Sequence, residues 1–260
     1  MEWSNQVVLV TGASKGLGKE VAVYFGRLGA KVVCAARNAT ELEVVAQSIR
    51  SNGGLAVAVA TDVTNNTSVA TLVNRALEVF GSISILINCV GSIGPTYDLL
   101  DYLDESDWDV TLATNLKSVF LMCRYVVPIM KKQRYGKIIN ITINIDDRVE
   151  KGLSPYYAAK AGVTYLTRQL ACELKPFNVQ ANCLNPGGLK TDLTSFWEKY
   201  PDSDALARIG KTQYVPFQDR LRDIAELLPT FCFLASSDSD PITGAYFTIS
   251  SKVEPMYLCL

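Results

Sequence analysis

Val7-Val-Leu-Val-Thr-Gly-Ala-Ser-Lys-Gly-Leu-Gly18 decides the fold. Val7 to Val10 is a short apolar run, mostly β-branched, of the kind that forms a strand buried on both faces. Gly12, Gly16 and Gly18 follow at turn spacing, with Ser14, Lys15 and Leu17 between them, and a helical pattern opens at about Leu17. Strand, glycine turn and helix in that order form a phosphate cradle. Gly12 permits the tight turn, while Gly16 and Gly18 let backbone approach a pyrophosphate and let the helix pack on the sheet. The helix N-terminus supplies N–H donors and the positive end of its dipole.

The same alternation continues along the chain. Strands are expected at 7–10, 31–36, 56–60, 84–88, 137–141, 179–184 and 245–249, and helices over 17–28, 40–51, 67–80, 108–131 and 156–174. Strands separated by helices of this length make βαβ units. The expected fold is therefore α/β: a single Rossmann-type domain, doubly wound, with a mostly parallel seven-stranded sheet and helices on both faces. No repeat, linker or low-complexity segment divides residues 1–260. The least regular stretch, 187–222, follows the sixth strand and reads as a substrate-lid insertion at the carboxyl ends of the strands. It carries Phe196, Trp197, Tyr200, Tyr214 and Phe217, which suit an apolar small-molecule ligand.

The end of the second strand distinguishes the two nicotinamide cofactors. An NAD site wants an acid there to accept from the ribose hydroxyl. Here the strand ends Cys34-Ala-Ala-Arg37, with Ala36 in the acid's place, and Arg37 and Lys15 are cations suited to a 2′-phosphate. NADP(H) is the expected cofactor, with Asp62 and Val63 flanking its adenine.

Composition narrows the chemistry further. The chain has no histidine, so His-based triads, His general bases and His metal sites are excluded. Seven cysteines without a C-x-x-C pair point to reduced thiols and a cytoplasmic protein. The net charge is −1 and no basic block occurs, so neither nucleic acid nor an anionic membrane is an expected partner. Apolar runs reach only about ten residues, short of a bilayer span. The opening residues lack a charged segment followed by an apolar one, so no secretion signal is expected.

Tyr156 and Lys160 lie four apart and share one face of the last long helix. A phenol of pKa about 10 is a poor base at neutral pH. A neighbouring ammonium and the positive ring of an oxidised cofactor both favour the phenolate. Tyr156 then exchanges a proton with a carbonyl or alcohol oxygen while hydride moves.

At this point the chain resembles the short-chain dehydrogenase/reductase family, over nearly its whole length. Thr11 to Gly18 matches the family's T-G-x-x-x-G-x-G turn, and Asn88-Cys-Val-Gly91 its N-N-A-G. The segment 108–120 resembles the helix that carries the catalytic Asn, here Asn115. Tyr156-Tyr-Ala-Ala-Lys160 matches Y-x-A-x-K, and Pro186-Gly-Gly-Leu-Lys-Thr191 matches P-G-x-x-x-T. The C-terminal signature is matched by Asp223-Ile-Ala-Glu, Phe233-Leu-Ala-Ser and Ile242-Thr-Gly244.

The resemblance implies roles for these positions. Asn88, Val90 and Gly91 border the cofactor ribose, and Pro186, Gly187, Leu189 and Thr191 the nicotinamide. Lys160 holds the nicotinamide ribose, and Asn115 anchors a relay water at Lys160. It also implies a homotetramer or dimer through the helices 108–131 and 156–174, where Phe120, Met122, Val126, Tyr165 and Leu166 place apolar bulk.

The sequence departs from the family at one catalytic position. A Ser is expected thirteen residues before the catalytic Tyr, and position 143 is Ile. Thr142 and Asn144 flank it and are the candidate substitutes, although strand alternation turns both toward the opposite face. The loop after the strand, Asp146 to Lys151, is densely charged, and the family's V-D-G-G is Ile249-Ser-Ser-Lys252. Two readings follow. One is an NADP(H)-dependent oxidoreductase acting on a carbonyl, alcohol or imine-like group of a small apolar molecule, as in secondary metabolism. The other is the same scaffold without net redox: a cyclase, isomerase or dehydratase, or a cofactor-binding interaction protein.

Overall fold

The computed structural model describes residues 2–143, 150–190, 203–209 and 221–249. Its centre is a seven-stranded sheet in the order β3-β2-β1-β4-β5-β6-β7, with every pairing parallel. The strands are β1 Val7–Thr11, β2 Lys31–Ala36, β3 Leu55–Ala60, β4 Ile85–Asn88, β5 Gly136–Ile141, β6 Val179–Asn185 and β7 Tyr246–Thr248. The order runs outward in both directions from the β1–β4 pair, the point at which open α/β sheets bind ligands beyond the carboxyl ends of their strands.

Alternation within β1 explains how both faces are covered. Val7 and Leu9 join one apolar core, and Val8 and Val10 join the other. The first core is closed by α3 (Asn66–Phe80), α5 (Ser118–Gln133) and α6 (Ser154–Leu174). The second is closed by α1 (Gly16–Arg27), α2 (Ala39–Ser51) and the C-terminal helix Leu228–Ala235. The expected doubly wound Rossmann architecture is thus observed.

Several boundaries differ from the sequence reading. The last strand is shorter than 245–249. The helix expected at 108–131 starts earlier, as α4 (Glu105–Leu112), because Glu105 and Asp107 place carboxylates in its first turn. It continues through a π-helical turn, Ala113–Lys117, into α5. A short helix, α7 (Ser203–Arg208), lies within the expected insertion, so Leu228–Ala235 is α8.

The continuous helix Glu105–Gln133 contains an 18-residue window with a mean hydropathy of 1.2, enough by length and composition to cross a bilayer. Its apolar side chains have another use. Val119, Leu121, Met122, Cys123, Val126 and Met130 are buried against the sheet.

Candidate active site

The α1 N-terminus faces the carboxyl end of β1. Lys15 is its N-cap but makes no side-chain cap bond, and the first turn holds no acid. By contrast, Asn38 and Asn65 cap α2 and α3 with their side chains. Gly12 has φ +70, and a Cβ there would stand 3.3 Å from the backbone of Cys89 and Val90. At Gly18 a Cβ would lie 2.3 Å from the Gly12 carbonyl oxygen, so only glycine lets the helix start this close to the turn. Gly16 also adopts a positive φ, of 55. Ser14 is half-buried in the turn, and Leu17 packs on the second core. An uncapped helix N-terminus above bare backbone fits a pyrophosphate group.

The remaining positions expected to border the cofactor lie at the strand ends beside this turn. Arg37 is exposed at the end of β2, and Asp62 follows β3. Burial disfavours the Asp62 carboxylate, but two hydrogen bonds from Thr64 and the positive charge of Arg37 hold it below the usual carboxylate range. Val63 is buried in the first core, and Val90 packs against it. Thr11 Oγ1 accepts from Cys89 N at 3.1 Å, tying the turn to the end of β4. Asn88 donates to Asn140 Oδ1 at 2.8 Å, and Asn140 donates to Thr167 Oγ1 at 2.8 Å, so β4, β5 and α6 are joined by one polar chain.

Across the switch point, Tyr156, Lys160 and Asn115 come together. Asn115 is fully buried in the π turn, donating to Ser92 O and Thr111 O while its Oδ1 accepts from Ser92 N at 3.1 Å. A π turn holds one more residue than an α turn and is frequent at functional sites. Here it aims Asn115 at the loop after β4. A Cβ on Gly91 would sit 3.4 Å from both Asn115 Oδ1 and Lys160 Nζ, so the Gly91 backbone stands between the two side chains.

Lys160 Nζ donates to Ile141 O at 3.0 Å and lies 5.7 Å from the centre of the Tyr156 ring. Burial pushes Lys160 down to about 8. Burial also pushes the Tyr156 phenol above its ordinary value, with Tyr157 adding to the rise. This corrects the expectation that the ammonium would lower it. The amine is engaged by a backbone carbonyl, and desolvation of the phenol outweighs any attraction between the two groups. Tyr156 is therefore a protonated phenol at neutral pH, placed to give a proton.

Tyr156 sits in a third apolar cluster with Ile93, Tyr97, Leu153 and Ile209, against which Leu99, Ile143, Tyr157 and Leu206 pack. Ile143 is thus part of the wall around the phenol. Thr142 turns its hydroxyl to α6, donating to Lys160 O at 3.1 Å and lying 3.0 Å from Thr164 Oγ1. Asn144 lies outside the described residues, as do Thr191 and the aromatic residues Phe196, Trp197, Tyr200, Tyr214 and Phe217. After β6, Pro186 is buried, Gly187 has φ +68, and Leu189 is buried and bridged to Arg222.

Three contributors to the site were not singled out in the sequence. Asp98 and Arg208 form an ion pair that docks α7 beside this cluster, and the Tyr246 hydroxyl reaches Ile143 O. None belongs to a spaced motif, and all three depend on tertiary approach.

Residues 6–201 match the short chain dehydrogenase family. The chain belongs to it. Among curated relatives, a 3-oxoacyl-[acyl-carrier-protein] reductase of a Synechocystis strain is 36% identical over 248 residues, covering 94% of this chain and 95% of its own. The (2S)-[(R)-hydroxy(phenyl)methyl]succinyl-CoA dehydrogenase subunit BbsD of Thauera aromatica is 32% identical over 243 residues, 92% and 93% of the two chains. Among solved structures, NAD+-bound xylitol dehydrogenase superposes with a TM-score of 0.85 at 25% identity, covering 96% of this chain and 99% of its own. This short-chain dehydrogenase is therefore a member of an oxidoreductase family that uses nicotinamide cofactors.

Proposed function

We propose that the chain is an NADP(H)-dependent oxidoreductase acting on a carbonyl, alcohol or imine-like group of a small, largely apolar molecule. The observation that carries this reading is the setting of Tyr156: buried, kept protonated, and with its ring centre 5.7 Å from Lys160 Nζ, which itself stands beside the Gly91 backbone after β4. The α1 N-terminus would hold the pyrophosphate, Arg37 and Lys15 the 2′-phosphate, and Lys160 the nicotinamide ribose. Gly187 and Leu189 would border the ring. When bound there, the nicotinamide cofactor would supply hydride chemistry at the carbonyl carbon. Tyr156 would give its proton to the carbonyl oxygen as the π bond opens, leaving a C–O single bond with a new C–H and a new O–H bond. Lys160, with a pKa near neutrality, then returns a proton to the phenolate through the water that Asn115 would anchor.

Ile143 supports the second reading, a scaffold without net redox, because it offers no hydrogen bond to a developing oxyanion. Loss of one such donor costs about 2.7–4 kcal/mol, which slows turnover without abolishing it. The redox reading therefore stands first. Its test is loss of NADPH absorbance with a panel of carbonyl compounds, in wild type and in Tyr156→Phe. Turnover in the wild type that falls at least about a hundredfold in the variant supports it. Full turnover in Tyr156→Phe overturns it.

Three further features complete the proposal. Residues 1–260 act as one domain in which 187–222 is the substrate-facing insertion. The protein is cytoplasmic, in a biosynthetic setting such as secondary metabolism. It forms a homotetramer or dimer through α4, α5 and α6, where Phe120 is 45% and Tyr165 66% exposed despite their bulk.

A further inference from the structure

Three consecutive residues at the end of β5 are each held by a different partner. Ile141 O accepts from Lys160 Nζ at 3.0 Å. Thr142 N donates to Leu184 O at 3.0 Å, and its hydroxyl is spent on α6. Ile143 O accepts from the Tyr246 hydroxyl at 2.7 Å, the preferred length for an O–H···O bond. The first two bonds connect β5 to its neighbours β6 and α6. The third comes from β7, where Tyr246 pairs in register with Cys183 of β6. It therefore reaches across an intervening strand to a residue beyond the end of β5. Tyr246 has no part in the proton pathway, but the residue it holds does touch the site. The Ile143 side chain packs on the cluster containing Tyr156.

We infer that Tyr246 is a positioning residue that sets substrate choice through Ile143. This rests on the oxidoreductase reading. Its hydroxyl fixes the Ile143 peptide plane and keeps the Ile143 side chain in the wall beside the proton donor. The Ile143 side chain itself offers no hydrogen-bonding group, so the face it presents beside Tyr156 is apolar. A ketone bearing a hydroxyl on the carbon next to the carbonyl would lose its bond to water there and gain none in return. The site thus selects ketones with plain hydrocarbon flanks and disfavours α-hydroxyketones. An apolar pocket rejects an added hydroxyl by about a hundredfold at most, which sets the size of the effect.

The probes are cyclohexanone and 2-hydroxycyclohexanone, with NADPH as reductant. Wild type, Tyr246→Phe, Ile143→Ala and the double variant are compared by the ratio of kcat/KM for the two ketones. The wild type should prefer cyclohexanone by about 10–100-fold. Tyr246→Phe should lower that ratio several-fold, mainly through KM, with the pH profile of kcat unchanged. In the Ile143→Ala background the same substitution should have no further effect, because coupled residues give non-additive cycles. An unchanged ratio in Tyr246→Phe, or additive effects in the double variant, overturns the inference alone. A wild type that neither reduces cyclohexanone nor binds it in the presence of NADPH overturns the oxidoreductase reading and this inference together.

Discussion

Arg208 grips Asp98 at two points, Nε to Oδ1 at 2.9 Å and Nη2 to Oδ2. The Asp98 side chain is 4% exposed and the Arg208 side chain 30%, with its guanidinium 4.5 Å from the centre of the Tyr102 ring. The pair anchors α7 to the loop after β4 and seats Leu206 and Ile209 on the apolar cluster around Tyr156.

Arg208→Ala should destabilise the protein by about 1.5–3 kcal/mol, the range for hydrogen bonds to charged groups, and should raise KM more than it lowers kcat. The Arg208 hydrogen bonds hold Asp98 below its usual range, against the opposing effect of burial, with Leu99 N also donating. A depressed carboxylate stabilises the fold above its unfolded pKa of about 3.9, and that stabilisation is lost as pH falls through the folded value. The Tm gap between wild type and variant should therefore be complete at neutral pH and shrink in acid. A gap that stays constant down to pH values of about 3 would refute the assignment.

Lys160 gives the opposite pH signature. Burial lowers it to about 8, against about 10.4 in an unfolded chain. Between those values the unfolded state holds more protons, so stability should climb with pH, by on the order of 3 kcal/mol for this group. Lys160→Met should lack that climb and melt higher than wild type at neutral pH while losing reductase activity. Thermal melts from pH 7 to 10 on both proteins decide the matter, and parallel curves would count against a buried amine lowered by desolvation.

Ile143→Ser restores a hydroxyl beside Tyr156. Turnover of small ketones should rise, by up to about 10²–10³ if the new group reaches the oxyanion, while bulky apolar ketones lose affinity. Steady-state kinetics on the variant measure both effects. A fall in kcat for every ketone would favour the reading without net redox.

Arg37→Ala should weaken NADPH binding about 10–100-fold and leave NADH binding within a few-fold, because only the 2′-phosphate needs the guanidinium. Calorimetric titration of both cofactors tests this. Equal affinities in the wild type would remove the basis for the NADP assignment.

Light scattering at micromolar concentration should give a multiple of 28.5 kDa. Phe120→Glu combined with Tyr165→Glu should return the monomer mass with little loss of fold, since both side chains are exposed in the single chain. A monomeric wild type would contradict the proposed α4–α6 interface.

The parts legible in the sequence were those written in short-range patterns. Strand periodicity located β1 to β6, because burial on both faces requires near-continuous apolar runs such as Val7 to Val10. The cradle was readable because Gly12 and Gly18 answer local steric demands. The depth at which Tyr156 is buried is not legible, since a four-residue spacing says which groups are near but not how deeply they are desolvated. Asp98 and Arg208 are 110 positions apart, and Tyr246 and Ile143 are 103 apart. No periodicity joins such pairs. Only the return of β7 and α7 to the same end of the sheet does.

The π turn at Ala113–Lys117 has a consequence for how this helix tolerates change in length. Excising one residue there would let the backbone close into regular α-helix, with hydrogen bonds four apart throughout. It would also swing everything on one side of the cut by about 100° relative to the other, since an α-helix turns through 3.6 residues. Asn115 would then leave Ser92, or the core face of α5 would leave the sheet. A more regular helix and a working site therefore demand different numbers of residues in the same stretch, and the extra residue is what lets one helix serve both.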